Sequence, residues 1–124
     1  HRLASGVRAA VTAWGLKNCA VDTKWHSDTV TAIRVPEDTD ANDVIKTAYH
    51  TYGVSLGAGL GPLNGNVFRI GHLGWLNETM VLQALGGVEM AMRDVGIKFL
   101  PGCGVGAAIE KYTDTKAPMV LAAE

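Results

Sequence analysis

The chain has 124 residues, 11 Lys and Arg against 12 Asp and Glu, a formal net charge of -1 with His neutral, and 48% hydrophobic residues. This near-neutral balance, with its cations scattered, excludes a nucleic-acid stripe and a basic membrane-surface face, and no apolar run has the length a bilayer requires. One compact unit of this size buries roughly two-thirds of its surface, so a single domain over residues 1–124 is expected.

The first periodic stretch is Leu3, Val7, Ala10, Val11 and Trp14, a helical spacing that Gly15 ends in a left-handed turn. Cys19 follows, and its one companion, Cys103, lies far along the chain, which is too few for a disulfide framework; reduced thiols and a cytoplasmic setting are expected. His1, His26, His50 and His72 lack metal-ligand spacing, and no metal is expected. Thr29 to Val35 is rich in β-branched residues and stops at Pro36, the signature of a strand. Asp40 then caps a helix whose apolar stripe is Val44, Ile45, Ala48, Tyr49 and Tyr52 and whose stop is Gly53. Val54 to Leu56 is expected as a short strand.

From Gly57 to Gly65, four glycines, a proline and an asparagine in nine residues predict a flexible loop. Its GxGxG spelling is a weak nucleotide signal, because a phosphate cradle needs a helix N-terminus directly after the glycines, and here Pro62 and a strand follow. That strand, Val67 to Gly71, carries one cation among residues suited to burial. Alternation puts Phe68 and Ile70 on one face and Val67 and Arg69 on the other, with Gly71 leaving space beside the guanidinium. Arg69 is either a fork offered to an anion or an ordinary arginine, snorkelling from the strand or paired with a local carboxylate.

Asn77 is a natural N-cap and Glu78 a favourable first-turn charge for a helix to about Val95, closed by Gly96. Its buried face should be Val81, Ala84, Leu85, Val88, Ala91, Met92 and Val95, with Gln83, Glu89 and Arg93 toward solvent. Gly86 and Gly87 inside a helix cost on the order of 1 kcal/mol each, which predicts a closely packed neighbour. Gly102 to Gly106 reads as a turn, Val105 to Tyr112 as a last short helix, and Thr113 to Glu124 as a weakly patterned tail. The fold class is therefore α+β, a small and mainly antiparallel sheet of three or four strands with helices on one face.

The runs 52–61 (YGVSLGAGLG), 67–74 (VFRIGHLG), Asn77-Glu78, 84–90 (ALGGVEM) and 102–108 (GCGVGAA) resemble the C-terminal domain of the class V pyridoxal-phosphate aminotransferases, in particular the glyoxylate-using members. Looser agreement extends to Arg8 to Val11, Trp14 to Leu16 and Thr29 to Ile33. The resemblance implies that residues 1–124 are one C-terminal domain whose large N-terminal partner domain lies outside this sequence. It implies a parent that moves an amino group from serine or alanine to glyoxylate, so the partners are small amino acids and 2-oxo acids, and a homodimer. Pyridoxal phosphate is the implied cofactor, held by a lysine of the large domain; no catalytic or cofactor-binding residue is expected in this chain. Arg69 matches the family arginine that binds the substrate's α-carboxylate. Trp75, where a polar residue is common in the family, either covers the substrate entrance or packs on the large domain. Another class V reaction (a lyase, or an aspartate or phosphoserine transaminase) and a stand-alone ligand-binding module remain open at this point.

Overall fold

A computed structural model describes residues 1–114. The elements are α1 (Arg2–Ala13), β1 (Lys17–Asn18), β2 (Val30–Arg34), α2 (Ala41–Tyr52), β3 (Gly57–Ala58), β4 (Val67–Gly71), α3 (Glu78–Asp94) and α4 (Cys103–Asp114), with single 3-10 turns at Thr23–Trp25 and Gly61–Leu63. The caps act where the sequence puts them. The Asp40 carboxylate accepts from the amide of Asn42 at 2.9 Å, and the Asn77 side chain accepts from that of Met80 at 2.9 Å. Gly15 and Gly53 take positive φ (74° and 70°) just past α1 and at the end of α2, a region costly for any residue with a Cβ.

The four strands are antiparallel in the order β1-β2-β4-β3. Register pairs Thr31 with Ile70 and Ile33 with Phe68, so these four share a face, and all are buried. Ile33, Phe68 and Ile70 join Val7, Val11, Trp14, Val44, Leu85, Val88 and Met92 in one core beneath the helices. An α+β domain with a four-stranded antiparallel sheet is what the sequence predicts. Val67, Arg69 and Gly71 alternate to the opposite face.

Helices α1 and α4 interlock through reciprocal small-to-large contacts. Gly6 of α1 lies against the Tyr112 ring and Gly104 of α4 lies against the Trp14 indole, each so closely that a Cβ would overlap the aromatic atoms. Gly87 of α3 admits the Val54 side chain in the same way, which explains one of the two mid-helix glycines; Gly86 has open space.

Several expectations need correcting. Val54 to Leu56 is not a strand: the amide of Val54 instead donates to Ala48 at the end of α2, and pairing begins at Gly57. The 57–65 segment is correspondingly not a free loop, since Gly57 and Ala58 pair with β4 and the amides of Leu63, Asn64 and Asn66 bond back to Leu60, Gly61 and Leu63. Helix α4 starts at Cys103 rather than Val105, directly after Gly102 at φ 85°. Glu89, assigned to solvent by its i,i+4 spacing to Arg93, is 7% exposed, for a reason given below. The tail expected from Thr113 reaches Asp114 as helix, and its remainder lies outside the described residues.

Candidate functional site

Arg69 sits mid-strand on the sheet face opposite the helices, between Ala32 of β2 and Gly57 of β3 in the register. Its Nε–H donates to the carbonyl of Ala58 at 2.8 Å. The side chain lies across Gly57, where a Cβ would stand 3.2 Å from Nε and 3.3 Å from the guanidinium carbon. No salt bridge to Arg69 occurs among the described residues, so the local-carboxylate alternative is not realised within them. Among the described residues the guanidinium therefore has no compensating carboxylate, and its two terminal nitrogens are available as donors. The space beside it belongs to Gly57, not to Gly71, whose nearest potential contact is Leu73 at 4.0 Å. Sequence reasoning missed Gly57 because it read that residue as loop; cross-strand placement becomes visible only with the β3–β4 register.

Directly after this strand, His72 turns to the buried side. Its Nδ1 lies 2.9 Å from the carbonyl of Asp28 and its Nε2 lies 2.8 Å from the hydroxyl of Thr31. A carbonyl only accepts, so Nδ1 carries the proton and donates to Asp28, and Nε2 accepts from Thr31. Burial pushes His72 below the ordinary imidazole pKa; the Asp28 carbonyl bond opposes this in part, and the Arg8 cation adds to the depression. The neutral ring ties the end of β4 to the segment before β2. The sequence signal for this role is weak, because nothing in its spacing separates His72 from the other three histidines.

Glu89 holds a second polar node inside the domain. Its Oε1 accepts from Trp14 Nε1 at 3.0 Å and from the amides of Gly104 at 2.9 Å and Val105 at 3.1 Å, while Oε2 accepts from Gly102 at 2.6 Å. A carboxylate here satisfies orphan amides of the first turn of α4 and neutralises the positive end of that helix. This is why a residue patterned for solvent is buried.

Among the described residues no group of three His, Cys, Asp or Glu side chains is placed to hold a metal. Lys17, Lys24, Lys46, Lys98 and Lys111 are all exposed, and Lys116 lies outside the described residues. None of the five described lysines is enclosed as a carbonyl-condensing amine requires, so the chain's described residues do not fit the anchoring of pyridoxal phosphate. A cavity of about 330 Å³ is lined by Arg8, Asn18, Trp25, His26 and Thr31 among others, without Arg69. Trp75 is 99% exposed and Leu73 63%, so the indole covers nothing within the described residues. No described helix is long and apolar enough to cross a membrane.

No family model matches the chain. Individual relatives do. The sequence is 57% identical over 112 residues to the serine–glyoxylate aminotransferase of Hyphomicrobium methylovorum, covering 90% of this chain and 28% of that protein. It is 54% identical over 117 residues to the L-aspartate–glyoxylate aminotransferase of Paracoccus denitrificans, covering 94% of this chain and 30% of that protein. The fold matches the crystal structure of pyridoxamine–pyruvate aminotransferase from Mesorhizobium loti with a TM-score of 0.85 at 33% identity, over 92% of this chain and 30% of that one. The chain spans less than a third of the length of the curated relatives it matches.

Proposed function

We propose that this chain, which belongs to the aminotransferase family, is the C-terminal substrate-binding domain of a pyridoxal-phosphate enzyme that transfers an amino group to glyoxylate. The observation that carries this reading is Arg69, a cation without a carboxylate partner among the described residues, fixed on the sheet face that the helices leave open. Its role is to bind the α-carboxylate of the amino acid and of the 2-oxo acid in turn. A planar guanidinium binds a carboxylate through two parallel hydrogen bonds, which sets orientation as well as charge, whereas a lysine supplies only a point charge. Orientation matters because chemistry at the substrate's Cα needs that carbon held at a fixed angle to the cofactor, and positioning of this kind lowers a barrier by several kcal/mol.

The cofactor and its lysine are assigned to a large domain outside this chain. The exposed Trp75 and Leu73, just past the Arg69 strand, are the proposed contact with that domain. Serine and aspartate, the donors named for two relatives, both carry the α-carboxylate that Arg69 is proposed to bind. The donor is therefore decided by groups around the side chain rather than by Arg69.

The test uses the full-length protein that contains this chain, loaded with pyridoxal phosphate and assayed with L-serine and glyoxylate. Arg69→Ala removes two charge-assisted hydrogen bonds at ~1.5–3 kcal/mol each, and kcat/KM should fall by about 10²–10⁴ while bound-cofactor absorbance persists. Loss of the cofactor absorbance, with serine turnover per remaining cofactor unchanged, refutes the assignment.

A further inference from the structure

The way Arg69 is held restricts how it can grip a carboxylate. A guanidinium offers two bidentate approaches, one side-on through Nε and a terminal nitrogen and one end-on through the two terminal nitrogens. Here the Nε–H is already given to the Ala58 carbonyl at 2.8 Å. We infer that Gly57 and the Ala58 carbonyl are positioning groups for Arg69, laying its guanidinium against β3 so that only the Nη1–Nη2 edge is presented and the substrate carboxylate is bound end-on. The inference rests on the carboxylate-binding reading of Arg69 given above.

Gly57 has a specific part in this. It faces Arg69 directly in the β3–β4 register. A Cβ at this position would stand 3.2 Å from Nε, 3.3 Å from the Arg69 Cβ and 3.3 Å from the guanidinium carbon, closer than ordinary van der Waals contact. Its φ is not in the left-handed region, so the backbone itself accepts an L side chain. Space, not conformation, is therefore what glycine provides here, and alanine would shift the guanidinium by a few tenths of an ångström while leaving the strand intact. Gly71 is the built-in control. It lies on the same strand and the same face, two residues beyond Arg69, also without positive φ, and an added Cβ there meets only Leu73 at 4.0 Å.

The experiment follows the rate at which L-serine changes the absorbance of the bound cofactor in the full-length holoenzyme. Displacing a carboxylate grip by a full ångström costs up to about 10²-fold, so Gly57→Ala should lower the second-order rate roughly tenfold and Gly71→Ala should leave it unchanged. Repeating Gly57→Ala in an Arg69→Lys background separates positioning from general damage. The flexible lysine is not held by the Ala58 carbonyl through an Nε–H, so the same glycine substitution should there have no further effect. A tenfold loss in both backgrounds, or none in either, overturns the positioning role. Should Gly57→Ala not yield folded holoenzyme, Arg69→Lys decides, since a residue that cannot present a fixed two-nitrogen edge should retain less than a tenth of the rate and a full rate refutes the end-on grip. The two levels fail differently: wild-type turnover in Arg69→Ala removes the carboxylate reading itself, whereas a crippled Arg69→Ala beside an unimpaired Gly57→Ala removes only this inference.

Discussion

Replacing Glu89 by glutamine tests the internal logic of the fold more sharply than any apolar substitution, because the shape is kept and the charge is not. Glu89 is 7% exposed and accepts four hydrogen bonds, three at Oε1 and one at Oε2. Glutamine with its oxygen at the Oε1 position keeps bonds to Trp14, Gly104 and Val105, but as neutral bonds of about half the strength. Converting three charge-assisted bonds into neutral ones costs ~2 kcal/mol after allowance for their sharing one oxygen. The amide NH₂ would then face the Gly102 N–H, donor against donor, adding ~1 kcal/mol at this partly wetted position. Loss of the negative charge at the start of α4 adds ~0.5 kcal/mol. The sum, ~3.5 kcal/mol, corresponds to a fall of roughly 10–15 °C in Tm for a domain of this size. Urea unfolding at pH 7 measures the total, and amide hydrogen exchange at Gly104 and Val105 locates it. A Glu89→Gln chain within ~0.5 kcal/mol of wild type, with undiminished protection at those two amides, would show that the carboxylate is not what seats α4.

Two pH effects follow from the buried titratable groups. His72 is held neutral, so the unfolded chain takes up a proton that the folded chain resists; the stability this contributes is complete above about pH 6.5 and is lost as pH falls below it, at no more than ~1.4 kcal/mol per pH unit. His72→Gln should flatten that part of the stability profile between pH 7 and 5, and an unchanged slope would contradict the neutral, doubly bonded ring. At the alkaline end, burial and then the Glu78 carboxylate push the Tyr112 phenol up to about 12, with the Arg2 cation opposing, while its hydroxyl donates to the Leu3 carbonyl at 2.8 Å. The folded state holds this proton more tightly than the unfolded one, so its contribution is present below about pH 10 and disappears as pH rises toward 12. Tyr112→Phe should cost ~1 kcal/mol at neutral pH and remove most of that alkaline loss. Tyr52, bonded to Asp94 at 2.6 Å and also raised, retains the remainder. Stability titrations read by circular dichroism check both.

Local rules carried much of this architecture. Apolar period and capping residues set α1, α2 and α3 within about a residue: Asp40 and Asn77 start helices, and Gly53 ends one, through bonds and dihedrals that depend on near neighbours in the chain. The β-branched run before Pro36 and the alternation around Arg69 likewise specify β2 and β4, because a two-residue side-chain period needs no knowledge of the partner strand. What required the tertiary structure is everything decided by elements distant in sequence. Gly57 looked like loop because two glycine-rich residues have no strand propensity of their own, and only the unpaired edge of β4 turns them into a strand and into the neighbour of Arg69. Glu89 looked like a surface charge because the i,i+4 rule sees one helix at a time, whereas Trp14 and the amides of 102–105 reach it from 75 residues before and some 15 after. The sequence by itself determined α1, α2, α3, β2 and β4 and which strand residue offers a lone cation. The long-range packing decided which of its glycines make room, which carboxylate is buried, and which Arg69 nitrogen is bonded to the Ala58 carbonyl, because those depend on distances no local pattern encodes.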